Sequence, residues 1–173
     1  ADVPDFIALG RHRDLEGRGW HIWVRRSLMA LIAAVGVLAL FNVFGQRPSE
    51  VTSAGPAASF ELRAPDRLRS GLIYEARFTI SAHRELEDAV LVLDSDWIEG
   101  QTMNTIEPGP LSEGSRDGDL VFKLGHVPAG RRFVLFLQLQ VNPTTLGRRK
   151  QDVVLYDGSE RIASIQRTAF IFP

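Results

Sequence analysis

Acidic side chains are the residues of this sequence whose spacing comes nearest to a metal-binding site. Asp94, Asp96 and Glu99 lie close together in the chain, and a second acidic group follows at Glu113, Asp117 and Asp119. Alternate residues of a strand share one face, so Asp94 and Asp96 would offer two oxygen ligands to Ca²⁺, which takes six to eight. Carboxylates at strand ends also solvate loops and block edge pairing. The sequence leaves a Ca²⁺ site open and favours solvated loops.

Residue sets for nucleophilic catalysis are sparse. This chemistry needs a Ser, Thr or Cys beside a base, with a third group that orients the base. The chain has no cysteine, and His83 and His126 fall in predicted turns, where a histidine is usually solvated. The sequence has no GxSxG, no HExxH and no glycine-rich phosphate loop. We therefore expect no enzyme activity, no cofactor and no small-molecule substrate.

The charge balance bears on the class of partner. The chain carries 20 basic and 21 acidic residues, a formal net charge of −1. A strongly basic nucleic-acid binder is excluded by this balance, so no nucleic-acid partner is expected.

An uncharged run of 19 residues, 27–45, predicts a transmembrane helix. At about 1.5 Å per residue it spans roughly 28 Å, close to the hydrocarbon thickness of a bilayer. Trp20 and Trp23 precede it, where indole rings favour the membrane interface, and Arg25 and Arg26 can reach the lipid headgroups. A cleaved signal peptide and a buried helix of a soluble protein are the alternatives.

Flanking charge predicts the orientation of this helix. Five arginines lie in the tail 1–26, whereas Arg47 is followed by no basic residue before Arg63. The positive-inside rule therefore predicts a single-pass protein of the plasma membrane, with residues 1–26 in the cytoplasm and the C-terminal part outside. A cytoplasmic C-terminal domain is the alternative.

Residues 46–58 have the composition of a linker, and the apolar period changes to two after them. Alternation of this kind predicts strands within 71–82, 85–94, 119–125, 131–143 and 151–172, with shorter ones near residues 60 and 105. The pair Asp157-Gly158 predicts a hairpin turn. Seven or eight strands without intervening helices predict an all-β domain over 59–173, an immunoglobulin-like antiparallel β-sandwich, with a small barrel as the second choice. The predicted core is Phe60, Tyr74, Phe78, Ile80, Val90, Val92, Trp97, Phe122, Phe133, Leu135, Leu137, Leu155, Ile162 and Phe170.

The segment 97–119 is the longest predicted irregular region, and long loops on rigid sandwiches often carry recognition. Its apolar residues form a candidate interaction loop: Trp97, Ile98, Met103, Ile106 and Leu111. The alternative is that Trp97 and Ile98 close one end of the core. The basic triplet 148–150 would suit anionic headgroups or an acidic partner, or would form a solvated turn.

Two stretches carry a resemblance to a family. "HVPAGRRFVLFLQLQVNP" resembles the turn and long strand of bacterial immunoglobulin-like, cell-adhesion-related repeat domains, and "YEARFTISAHRELEDAVLVLD" resembles their earlier strand pair. The resemblance covers about residues 59–173. It implies a sandwich that serves adhesion, scaffolding or complex assembly, and it transfers no catalytic residues.

These observations together favour a non-catalytic accessory, assembly or scaffolding subunit. The expected partners are the lipid bilayer and a membrane protein that contacts the helix and the sandwich. Small residues in the helix would permit close packing with that partner: Ala30, Ala33, Ala34, Gly36 and Ala39. A membrane-anchored module that binds a ligand or the cell envelope is the alternative, and an enzyme is the third.

Overall fold

The computed structural model describes residues 19–43 and 45–173. The chain divides into a helical unit that ends at Phe44 and a β unit that starts at Gly45. The predicted cytoplasmic tail therefore lies largely outside the described residues, as do three of its five arginines.

Helix α1 runs over Gly19–Leu40, and none of its residues is buried. It starts before the uncharged run because Trp20, Trp23 and the two arginines also adopt helical conformation. It ends five residues before the predicted limit of 45, at a Schellman motif. Asn42 takes a left-handed φ of 54°, its backbone nitrogen donates to Ala39 O, and Val43 N donates to Leu38 O. Asparagine is one of the few residues that adopt this conformation readily.

Thirteen strands form between residues 48 and 172. They are β1 (Pro48–Ala54), β2 (Ala58–Pro65), β3 (Arg67–Arg69), β4 (Ile73–Ala82), β5 (Leu86–Leu93), β6 (Gln101–Glu107), β7 (Ser112–Arg116), β8 (Asp119–Val127), β9 (Arg132–Val141), β10 (Gly147–Lys150), β11 (Val153–Asp157), β12 (Glu160–Ile165) and β13 (Thr168–Phe172). A single 3₁₀ turn, Ser95–Trp97, follows β5.

The strands form two five-stranded sheets and one small sheet. The first sheet has the order β1-β2-β4-β9-β6, and the second has the order β12-β11-β5-β8-β7. Every pair in these two sheets is antiparallel, and together they form the predicted immunoglobulin-like sandwich. The small sheet has the order β10-β13-β3, and its β13–β3 pair is parallel. The predicted fold class, an apolar helix followed by an all-β sandwich, is confirmed.

The core lies between the inner faces of the two large sheets. Strands β4 and β9 alternate in burial because their apolar residues recur with period two, as the sequence predicts. The rings of Phe60 and Phe78 are 6.3 Å apart, and the Phe78 ring lies 5.6 Å from that of Trp97. Most of the predicted core residues are buried, but Phe133 and Ile162 are only partly so. The prediction that Phe170 belongs to the core is wrong, because this residue lies on the outer side of β13 and is 39% exposed.

The segment predicted to be a linker, 46–58, is largely structured. Strand β1 pairs with β2 along its whole length, from Pro48 opposite Pro65 to Ala54 opposite Ser59. Ala57 and Ala58 are buried. The linker prediction is wrong here because small polar residues complete a sheet when a neighbouring strand supplies the hydrogen bonds.

Two other local predictions differ from the structure. The segment 97–119 is not a loop, since it contains β6 and β7. The hairpin between β11 and β12 forms, but its two loop residues are Gly158 and Ser159, because Asp157 already pairs with Glu160. Gly158 has a positive φ, 57°, of the kind that two-residue hairpin turns require.

Candidate functional site

The predicted membrane-interface residues all lie in the first two turns of α1. Trp20, Trp23, Arg25 and Arg26 are exposed, and the guanidinium carbon of Arg26 lies 5.6 Å from the centre of the Trp23 ring. Among the described residues, α1 is the one helix long and apolar enough to cross a membrane. Helix α1 thus has aromatic and cationic side chains at its start and apolar side chains along the rest of its length.

The acidic residues near Asp94 bind the protein's own backbone. Asp94 Oδ1 accepts a hydrogen bond from Asp96 N at 2.9 Å, and Asp96 Oδ2 accepts one from Lys150 N at 3.0 Å. Asp119 Oδ1 accepts from Ser95 N at 3.2 Å, and Glu99 pairs with Arg149 at 3.4 Å. Within residues 19–43 and 45–173 no three His, Asp or Glu side chains are arranged to hold a metal ion. These carboxylates order the turn around the 3₁₀ segment.

Of the two histidines of the β unit, His83 lies in a turn as predicted, whereas His126 lies on strand β8. His126 Nε2 is 2.7 Å from Glu85 Oε1 at an exposed position. The backbone nitrogen of His83 donates to Ala57 O at 2.8 Å.

The five residues of the predicted interaction loop do not share one surface. Trp97 is buried, and its indole nitrogen donates to Asp152 O at 3.1 Å. Met103 and Ile106 are partly buried against the core, whereas Ile98 and Leu111 are exposed. Trp97 therefore closes one end of the core, as the alternative has it, but Ile98, which the alternative joined to it, is exposed.

A buried polar cluster joins two strands of the first sheet to the connections before β11 and after β12. Tyr74 Oη donates to Gln101 Oε1 at 2.6 Å and accepts from Gln151 Nε2 at 3.0 Å. Arg167 donates to the carbonyl oxygens of Ala64 at 3.1 Å and Pro65 at 2.5 Å. Only Tyr74 of this cluster is predicted from the sequence, because glutamine and arginine are not recognised as core residues from their type.

Burial shifts the ionisation of two of these groups. Loss of solvation raises the pKa of the Tyr74 phenol, and the hydrogen bond from Gln151 and the charge of Arg167 offset this only in part. Loss of solvation also lowers the pKa of the Arg167 guanidinium, against the opposing effects of Tyr74 and Asp66. Through these contacts the four side chains connect the end of β2, strand β4, the start of β6, the segment before β11 and the β12–β13 connection.

The outer face of the first sheet is the second feature that sequence analysis missed. The cross-strand row Arg63–Arg77–Phe136–Glu107 runs over β2, β4, β9 and β6, and Val134 lies beside Thr79 in the next row. We call these residues, with Glu61, the Phe136 face. Phe136 is 37% exposed, although the residues that flank it in the row are charged. This surface could be predicted from the sequence, because Val134 and Phe136 are apolar residues on the side of β9 where the alternation otherwise places polar ones.

Two grooves on this outer side meet at Arg77. One, of about 360 Å³, is lined by Glu61, Arg77, Thr79, Arg132, Val134 and Phe136. The other, of about 290 Å³, is lined by Pro48, Arg63, Pro65, Glu75 and Arg77. Arg77 forms an ion pair with Glu61 at 3.7 Å, while its buried Nε has no hydrogen-bond partner among residues 19–43 and 45–173.

Comparison with known proteins finds likeness only at the level of the fold. No protein-family model matches the chain, and no curated protein matches it. Among solved structures it is similar to the cupredoxin domain of amoB from Nitrosocaldus yellowstonii, with 10% identity, a TM-score of 0.41, and 74% of this chain and 90% of that chain covered. It is also similar to the CARDB domain of a Pyrococcus furiosus protein, with 11% identity, a TM-score of 0.37, and 72% and 89% covered. These likenesses are too distant to carry a function.

Proposed function

We propose that this protein is a non-catalytic, single-pass membrane protein whose sandwich binds a larger membrane protein as an accessory or scaffolding subunit. The observation that carries the proposal is α1. From Leu28 to Leu40 it is apolar on all sides, and none of its 22 residues is buried against any other part of the described chain. A bilayer or a partner helix provides the apolar surroundings that such a helix requires.

The Phe136 face supports a protein contact for the sandwich. An aromatic ring beside arginines is typical of interface centres, where aromatic residues and arginine are enriched. The small residues of α1, which include Ala33 and Gly36, would allow a partner helix to approach closely.

The ligand-binding alternative loses its main support in this structure. It depends on Trp97 and Met103 as surface residues of one loop, but Trp97 is buried and Met103 is partly buried on a strand. Replacing them would damage the core before it reported on a ligand.

Photo-crosslinking in cells tests the protein contact. A photoreactive phenylalanine analogue at position 136 should give a specific adduct with an integral membrane protein. The same analogue at Ser115, on the exposed edge strand β7, is the matched control and should give none. Equal adducts at both positions, or none at 136, would remove the Phe136 face from the proposal.

The anchor is tested by a charge at the middle of the apolar run. Ala34→Arg should prevent stable membrane insertion, since an arginine at a helix centre costs about 2.5–3.5 kcal/mol on insertion scales. Ser27→Arg, next to Arg26, should leave insertion intact. The measurement is the fraction of protein retained in membranes after alkaline carbonate extraction. Equal retention of the two variants would count against a membrane-spanning α1.

A further inference from the structure

The small sheet presents an outer face on which basic and aromatic side chains are neighbours. Its register places Arg148 opposite Phe170 and Phe170 opposite Arg67, which makes one Arg–Phe–Arg row across three strands. Phe172 pairs with Arg69 in the next row, and Lys150 pairs with Thr168. We call these residues the basic-aromatic face: Arg67, Arg69, Arg148, Lys150, Thr168, Phe170 and Phe172.

Burial shows that this face points away from the core. The alternate residues Leu68, Ala169 and Ile171 are buried, so the other side of each strand must face outward. Phe170 and Phe172 are nevertheless large apolar side chains, and their rings contact each other edge to face with centres 4.5 Å apart. The outer surface thus holds an ordered aromatic pair that the core does not use.

The charge of the basic-aromatic face is of one sign. Four of its seven residues are cationic and none is acidic, in a chain whose net charge is −1. Arg149, which pairs with Glu99, points to the opposite side of β10 and is not a member. The face therefore concentrates positive charge from three separate parts of the sequence.

The position of the face in the β unit narrows the choice of partner. Pro48, the first strand residue, pairs with Pro65, and Arg67 follows two residues later. The face therefore begins at the end of the sandwich where the chain enters from α1. Seven residues, 41–47, connect α1 to β1, and a chain of that length spans at most about 25 Å. The length of this connection limits how far Pro48 can lie from a membrane that anchors α1.

We propose that the basic-aromatic face binds anionic phospholipid headgroups of the membrane in which α1 is anchored. Guanidinium groups form bidentate hydrogen bonds with phosphate oxygens, and cations close to an anionic leaflet are attracted to it. The Phe170 and Phe172 rings enter the boundary between headgroups and acyl chains, as aromatic residues of surface-bound segments do. The inference rests on the proposed membrane anchor and adds a second, electrostatic contact that fixes the sandwich against the surface.

Full-length protein in lipid nanodiscs provides the test. The chain has no cysteine, so Thr168→Cys places one fluorophore on the face, and Ser115→Cys places one on the exposed strand β7. Lipids with a spin-labelled headgroup quench fluorophores that come close. We expect strong quenching at 168 and weak quenching at 115 in nanodiscs with 30% phosphatidylglycerol. Phosphatidylcholine alone, or high salt, should abolish the difference because both weaken the attraction.

A pair of charge variants tests which cations act. The double variant Arg67→Gln and Arg148→Gln should lower the ratio of docked to undocked sandwich about 25-fold, since each cation near an anionic leaflet contributes about fivefold. The matched control, Arg131→Gln and Arg132→Gln, makes the same change of charge at exposed residues at the opposite end of the first sheet from Pro48, and it should leave quenching unchanged. Inorganic phosphate at constant ionic strength should not displace the face.

Each remaining outcome overturns the inference. Quenching that is equal at 168 and 115, that does not depend on anionic lipid, or that responds equally to both double variants excludes specific docking of this face. Displacement by inorganic phosphate would show a phosphate site that is not specific for a membrane surface. Flotation of the nanodiscs with the protein reports anchoring by α1 separately. A failure of docking is thereby distinguished from a failure of the anchor.

Discussion

Gly100 has a backbone conformation and surroundings that exclude a side chain. Its φ is 71°, and a Cβ there would lie 2.5 Å from Thr145 Oγ1, which donates a hydrogen bond to Gly100 O at 2.8 Å. Gly100→Ala should therefore lower the free energy of unfolding by about 2–4 kcal/mol, from backbone strain and a lost hydrogen bond. Urea unfolding followed by circular dichroism measures this loss.

Two other glycines separate the causes of that loss. Gly118 has a φ of 94° but open space around it, so Gly118→Ala should show the backbone cost alone. Gly114 lies on the exposed strand β7 with open space and no positive φ, and Gly114→Ala should have almost no effect. Equal unfolding midpoints in urea for all three variants would contradict the close packing of Gly100 against Thr145.

Tyr74 should make stability depend on alkaline pH. Burial raises the pKa of its phenol in the folded state above the value of about 10 that it has when unfolded. Below pH 10 both states hold the proton, and the contribution is constant. As the pH rises above 10, only the unfolded state releases the proton, so stability falls by up to about 1.4 kcal/mol per pH unit. Unfolding free energies measured between pH 8 and pH 11.5 should show this slope.

Tyr74→Phe is the variant that checks the cause. At pH 7 it should be less stable by about 1–3 kcal/mol, because Gln101 and Gln151 lose their buried partner. Above pH 10 its stability should fall less steeply than that of the wild type. An alkaline slope as steep in the variant as in the wild type would assign the pH dependence to other groups.

At the scale of elements, the sequence predicts strands that carry their own alternation. Strands β4 and β9 are long and place apolar residues at every second position, so the buried side of each strand can be predicted from its own sequence. Strands β1, β3 and β10 are short or built from small and polar residues, and they pair because a neighbour offers a free edge. The candidate surfaces follow the same division. The exposed position of Phe136 can be predicted from the sequence of β9 alone. The basic-aromatic face cannot be predicted in this way, because it forms only when three distant segments pair.

Strand β1 gives the clearest test of an element that the sequence does not reveal. A fragment 45–173 should fold, because it contains the whole β unit. A fragment 57–173 lacks β1 and exposes the edge of β2 together with Val51's site against the core. It should unfold at a lower urea concentration and aggregate more readily, since an uncovered edge strand pairs with other molecules. Equal unfolding midpoints for the two fragments would mean that residues 46–56 do not stabilise the sandwich and act as a linker.

For the molecule as a whole, both proposed contacts of the sandwich depend on which side of the membrane it occupies. The arginines of the N-terminal part predict that residues 1–26 are cytoplasmic and that the β unit lies outside. This orientation decides which leaflet the basic-aromatic face would contact and in which compartment a partner would meet the Phe136 face.

Single cysteines report this orientation, because the natural chain has none. With Ser115→Cys, a membrane-impermeant maleimide should label intact cells, since the residue is exposed on β7 and is predicted to lie outside. With Gly10→Cys, labelling should appear only after the membrane is permeabilised. The two variants control each other, because permeabilised cells must label at both positions. Labelling at 10 and protection at 115 in intact cells would reverse the topology, and the sandwich would then have to find its partner and its anionic lipid in the cytoplasm.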